Sequence, residues 1–157
     1  MSNMKRRTFL KGTLAASAVG VAASTGLLTP RTVLAAWPTA AFDAKTVSDS
    51  LKALMGSDKL DGSDKIKIKA PDIAENGAVV PVSVETSISD PSSISILAEK
   101  NASPLSASFN LGSGTEGFVA TRVKLAKTTS VIAVVKAGDT LYSSGKEVKV
   151  TIGGCGG

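Results

Sequence analysis

The 157-residue sequence contains no histidine and only one cysteine. Without histidine there is no Ser-His-Asp or Cys-His catalysis, none of the commonest general acid/base, and no imidazole-built zinc or copper site. A single thiol excludes an internal disulfide, a Cys-x-x-Cys redox pair and an iron–sulfur centre, all of which need more than one. No GxxxxGK[ST] phosphate loop occurs, and no motif for any other cofactor or metal is present. A long membrane-spanning run is also missing. The apolar stretch from Leu14 to Leu28 is rich in Ala, Gly, Ser and Thr and falls short of the about 20 residues a spanning helix needs.

That stretch has a different reading. Lys5-Arg6-Arg7-Thr8-Phe9-Leu10-Lys11 resembles the twin-arginine export motif, with the Arg6-Arg7 pair, Phe9 and Lys11 at the expected offsets. Val33-Leu34-Ala35 is a small-residue cleavage pattern, so residues 1–35 are expected to be a Tat signal that is removed to leave Ala36 first. The expected location is the periplasm, reached in the folded state. This changes the charge argument. The chain carries +5 overall, but Lys5, Arg6, Arg7, Lys11 and Arg31 all lie in the leader, which has no acidic residue. Thirteen basic residues then face thirteen acidic ones, a net charge of zero. The basic footprint of a nucleic-acid-binding domain is gone. A folded export route with no cofactor motif suggests that a partner subunit is acquired before export.

The lone cysteine sits in Gly153-Gly154-Cys155-Gly156-Gly157 at the end of the sequence. Average glycine usage is about 7%, so four glycines around one cysteine are far from a chance expectation. Glycine lacks a Cβ, which leaves the backbone on both sides of the thiol nearly unrestricted. From Ile152 to Cys155 is roughly 10 Å of extended chain. The arrangement predicts a flexible arm, residues 153–157, that presents Cys155 to a narrow pocket on another protein. An exposed free thiol in an oxidising compartment points to a reactive or intermolecular role. Its position also rules out a lipoprotein anchor, whose cysteine would directly follow the signal.

Between leader and arm, residues 36–152 are long enough for one domain with a core. Phe42, Val47, Leu51 and Leu54 predict a short amphipathic helix with Asp43 as its cap and Gly56 as its stop. The remainder alternates with period two. Ile66 and Ile68 oppose Lys65, Lys67 and Lys69. Val80, Val82, Val84 and Ile88 share a face after the Asn76-Gly77 turn, and Ile94 and Ile96 begin a strand after Asp90-Pro91. Leu105 to Leu111 and Val119 to Leu125 alternate likewise. Val131 to Val135 is apolar on both faces and is placed centrally in a sheet, while Val148, Val150 and Ile152 form the last strand, after the Gly138-Asp139 turn. About seven strands with turn signals between them read as an all-β, antiparallel β-sandwich carrying a short N-terminal helix. Trp37 falls outside the strands and is expected to pack locally.

Over the last dozen residues, Lys146-Glu147-Val148-Lys149-Val150-Thr151-Ile152 followed by the glycine–cysteine arm, the sequence resembles the SoxY family of sulfur-carrier proteins. Thr121-Arg122-Val123-Lys124-Leu125 and the Tat-type leader are similar as well. The resemblance implies an immunoglobulin-like sandwich paired with a second β-rich subunit, SoxZ, in the periplasmic thiosulfate-oxidising system. It implies that Cys155 bears the pathway intermediates. SoxXA, a haem enzyme, would couple thiosulfate oxidatively to the thiol, SoxB would release sulfate, and a sulfane dehydrogenase, where present, would oxidise the remaining sulfur. The chain would then be no enzyme and would hold no cofactor or metal of its own.

The residues agree with such a role. A free cysteine has a pKa near 8.5, so only a few per cent is thiolate at neutral pH. No histidine is available to lower it, and the nearest cation in sequence is Lys149. Activation must come from the active site that receives the arm. Two other readings are distinguishable: a stand-alone periplasmic thiol peroxidase or sulfurtransferase, which would turn over alone, and a structural sandwich with an incidental cysteine, which would tolerate loss of residues 153–157.

Overall fold

The computed structural model describes residues 38–151. The expected leader with Arg6 and Arg7, Trp37, Ile152 and the five residues of the expected arm lie outside the described residues.

Two helices come first, α1 (Thr39–Asp43) and α2 (Val47–Met55). The single helix capped by Asp43 is corrected here. Asp43 ends α1, and the chain turns extended at Ala44 (ψ 147°). Thr46 caps the second helix, its hydroxyl accepting from the Asp49 N–H at 3.1 Å. Gly56 does end the run: it adopts φ 79° and its N–H closes on the Lys52 carbonyl at 3.0 Å. Just beyond, Asp58 accepts from the Ser48 hydroxyl and pairs with Lys52, and these two contacts hold its carboxyl below the ordinary value.

Nine strands follow among the described residues: β1 (Asp61–Gly62), β2 (Ile66–Lys69), β3 (Ile73–Ala74), β4 (Val80–Thr86), β5 (Ser93–Ala98), β6 (Leu105–Asn110), β7 (Phe118–Val123), β8 (Thr129–Ala137) and β9 (Thr140–Val150). The main ladders are antiparallel and form two sheets, β9-β8-β5-β6 and β2-β4-β7. The two extra strands are two residues long and pair parallel to β9, β1 along Tyr142–Ser143 and β3 along Lys149–Val150. Strands this short carry no periodicity, so only pairing reveals them. They cover the outer edge of β9, where unpaired amides would otherwise be open to other chains.

The sheets share one core. Val80, Val82 and Val84 of β4 pack with Ile94, Ile96, Val131, Ala133, Val135 and Val148 of the larger sheet. A second cluster lies on the other face of the larger sheet, where Ala41 and Leu51 of the helices cover Leu97, Leu105, Val134 and Leu141. That double covering buries every residue of β5 and makes β8 the central strand its apolar run suggests.

Two strand boundaries differ from the alternation. Ile88 lies past the end of β4 and is half-buried against the core, its N–H donating to the Thr86 hydroxyl at 3.2 Å. β9 begins at Thr140 rather than near Val148. Ser143, Ser144 and Gly145 hide its period, yet they pair with Val134, Ala133 and Ile132 of β8.

Candidate functional site

The predicted attachment residue Cys155 and its flanking Gly153, Gly154, Gly156 and Gly157 lie beyond residue 151, where description ends. The structure describes the strand end that precedes them in sequence. There, successive amides of the β9 end are held from alternate sides. Lys149 N–H donates to the Asp72 carbonyl at 2.9 Å, and Thr151 N–H to the Ala74 carbonyl at 3.1 Å. Between them, Val150 N–H turns the other way and donates to the Thr128 hydroxyl at 3.0 Å. Both flanks of the strand are therefore tied down until one residue before Ile152.

Three loops distant in sequence converge on this root. The β3–β4 loop is shaped by Asn76, whose side-chain oxygen accepts from Ala78 N–H at 2.9 Å. It brings Gly77 against the β7–β8 loop, with Leu125 N–H donating to the Gly77 carbonyl at 2.7 Å. The approach is so close that a Cβ at position 77 would overlap the Leu125 carbonyl oxygen and stand 2.8 Å from a Val150 methyl carbon. The β5–β6 loop supplies Asn101, which donates to the Lys124 carbonyl at 2.7 Å and accepts from Ala126 N–H at 3.0 Å. Lys146 finally anchors the β2–β3 connection, donating to the Ala70 carbonyl at 2.6 Å and pairing with Asp72 at 3.0 Å.

Sequence reasoning placed the thiol and missed this collar. Asn76-Gly77 was legible as a turn, but nothing local tells that it touches Leu125 and Val150. The β7–β8 loop, whose Thr128 holds Val150, also carries the exposed Lys124 and Lys127. No described residue there forms a nucleophile–base pair. A groove lined by Ser63, Lys65, Ile88, Asp90 and Tyr142 sits at the other end of the sandwich, beside the β8–β9 turn. The described residues thus form a hydrogen-bonded strand-end platform shortly before the Gly153–Gly157 segment in sequence.

Such a platform is the fold of a solved sulfur carrier, and the likeness extends to the sequence. The profile of the family described as sulfur oxidation protein SoxY matches residues 51–155, a span that ends on the cysteine. The chain belongs to the SoxY family. The sulfur carrier protein SoxY from Chlorobium limicola f thiosulfatophilum is similar at 47% identity and TM-score 0.61, over 66% of this chain and 94% of that one. A superoxide reductase (neelaredoxin) from Ignicoccus hospitalis shares the fold at TM-score 0.52 and 16% identity, over 59% of this chain and 94% of that one. No curated protein matches the chain.

Proposed function

We propose that the chain is a covalent sulfur carrier of thiosulfate oxidation, with Cys155 as the attachment point and residues 153–157 as the arm. The observation that carries this reading is the family match, whose span of residues 51–155 takes in most of the second helix, the sandwich and the cysteine itself. The 47% identical relative named as a sulfur carrier supports it. The strand order, three strands facing four with the last strand leading to the arm, agrees with an immunoglobulin-like sandwich.

In this reading the sandwich binds and positions, and the chemistry happens on other proteins. Cys155 lies four chain steps beyond Thr151, a reach of roughly 13 Å at full extension. The glycines remove every side chain that would clash in a narrow entrance. Oxidative coupling joins the Cys155 sulfur to the outer sulfur of thiosulfate, and the two electrons leave through the haem enzyme SoxXA. SoxB then hydrolyses the terminal sulfonate to sulfate, and a sulfane dehydrogenase acts on the sulfur left behind. Covalent tethering keeps each intermediate at high effective concentration for the next enzyme. SoxZ is the proposed resident partner, and the periplasm, reached folded through the Arg6-Arg7 leader, the proposed location.

The test is the intact mass of the protein purified from cells grown on thiosulfate, with and without reductant. Reductant-labile sulfur or sulfur–oxygen additions mapping to Cys155, on a chain beginning near Ala36, are expected. Cys155→Ser should abolish thiosulfate-dependent turnover with the fold intact. Turnover retained in that variant would refute the carrier reading.

A further inference from the structure

The two outer faces of the sandwich are unequal. The outer face of β9-β8-β5-β6 lies under α1 and α2. The outer face of β2-β4-β7 has no helix on it among the described residues, and alternation along its strands sorts charge onto it. Ile66, Val82, Val84, Val119 and Val123 point into the core. Their neighbours Lys67 and Lys69 of β2 and Arg122 of β7 point outward, and the exposed Lys124 continues that parity just past β7. The one carboxylate on the β4 part of this face, Glu85, is taken by Lys69 at 3.1 Å. Lys67, Arg122 and Lys124 enter no ion pair among the described residues.

Register gives this face a direction. Arg122 lies opposite Pro81, next to the Val80–Val123 pair, and the Gly77–Leu125 contact ties that corner to the end of β9. Glu85, Glu116 and the 48% exposed Phe118 gather at the far end. Arg122 and Lys124 thus stand at the end of the face tied to the end of β9, whereas Lys67, opposite Glu85, lies toward the far end. Between them, Ser83 and Ala120 pair across the strands and keep the surface low. A low, strand-built surface of this kind suits a protein partner.

We propose that this face is where the cargo-handling enzymes dock, through an acidic surface beside the entrance that admits the arm. The inference rests on the carrier reading and adds to it the surface and the partner's charge. The composition of the face favours a visiting enzyme over a permanent subunit. Obligate interfaces are apolar with charge depleted at their centre, whereas a cationic face steers brief encounters with an acidic partner. A carrier served by several enzymes in turn needs fast arrival and fast release.

The experiment titrates the purified full chain into periplasmic extract from a strain lacking it and follows thiosulfate-dependent turnover at low and high salt. Arg122→Glu/Lys124→Glu is compared with Lys45→Glu/Lys59→Glu, which carries the same net charge on the helix-bearing side. The face variant is expected to need about tenfold more protein for half-saturation at low salt, at an unchanged saturated rate, and to lose the wild-type salt dependence. Half-saturation equal to that of the helix-side variant would overturn the proposal. So would loss of a co-purifying subunit from the face variant, which would make this the resident interface. If the double variant melts early, the milder Lys124→Gln is read in the same assay against the same criterion. Cys155→Ser separates the two ideas: its inactivity keeps the carrier reading whatever the face does, and its activity removes that reading.

Discussion

Gly77→Ala should destabilise the sandwich through a contact that local sequence gives no reason to expect. The added Cβ would overlap the Leu125 carbonyl oxygen and stand 2.8 Å from Val150 Cγ1, where carbon–carbon contacts settle near 3.5–4.0 Å. The first obstacle is backbone and cannot rotate away, so the β3–β4 loop must separate from the β7–β8 loop. That movement strains or breaks the 2.7 Å hydrogen bond from Leu125 N–H to the Gly77 carbonyl, worth about 0.5–1.5 kcal/mol. Overpacking adds about 1–3 kcal/mol. The restricted unfolded chain returns about 0.4–1 kcal/mol. The balance is a loss of about 2–3 kcal/mol, a large part of a typical domain's 5–15 kcal/mol. For a domain of this size that corresponds to a fall in Tm of roughly 8–12 °C, read by circular dichroism. Gly62→Ala is the comparison, since nothing lies within 4 Å of its Cβ position and its φ is not positive. It should melt within about 2 °C of the wild type. Equal melting of the two variants would refute the reasoning, and with it the close approach of Gly77 to Leu125 and Val150. Amide exchange at Lys149 and Thr151, whose N–H groups bond to the Asp72 and Ala74 carbonyls, should also accelerate in Gly77→Ala only.

Three further outcomes are expected. Gly154→Val or Gly156→Val should impair loading by partner enzymes while leaving Tm unchanged, because both positions belong to the proposed arm; equal losses of loading and melting temperature would contradict this. Thr46→Ala removes the cap acceptor for Asp49 N–H and should cost about 1 kcal/mol, seen as a lower Tm, whereas Thr46→Ser should recover most of it. Asp58 is held below the ordinary carboxylate range by the Ser48 hydroxyl and then by Lys52, so its contribution is present above the unfolded value near 3.9 and is lost as pH falls through the lower folded value. Asp58→Asn should therefore flatten the acid limb of a stability-against-pH curve, and an unaltered limb would show that the pair contributes nothing measurable.

Much of this was legible from residues alone, where the signal is local. Alternation at Ile66–Lys69, Val80–Val84 and Val119–Val123 marks real strands, and Val131–Val135, apolar on both faces, is the middle of the central strand. Gly56 ends its helix with φ 79° because a left-handed residue there is easiest without a Cβ. Failures came where local cues competed or were absent. Asp43 and Thr46 are both plausible caps three residues apart, and only the extended backbone at Ala44 selects Thr46. Pro81 sits in a strand flanked on both sides, which proline usually avoids; the β2 ladder reaches only to Ser83, so at Pro81 that flank is open.

Residue content and order already suggest the proposed tethered thiol: one cysteine, a glycine pair on each side of it, no histidine, and five basic residues within the first 31 that account for the whole net charge. These are properties of composition and spacing, and folding does not alter them. The rest came from the packed chain. Folding set β1 and β3 on the edge of β9, closed Gly77 onto Leu125 and Val150, and placed Lys67 with Arg122 and Lys124 on one uncovered face. Each of these joins residues tens of positions apart, and their meeting depends on pairing register, which no window of sequence contains.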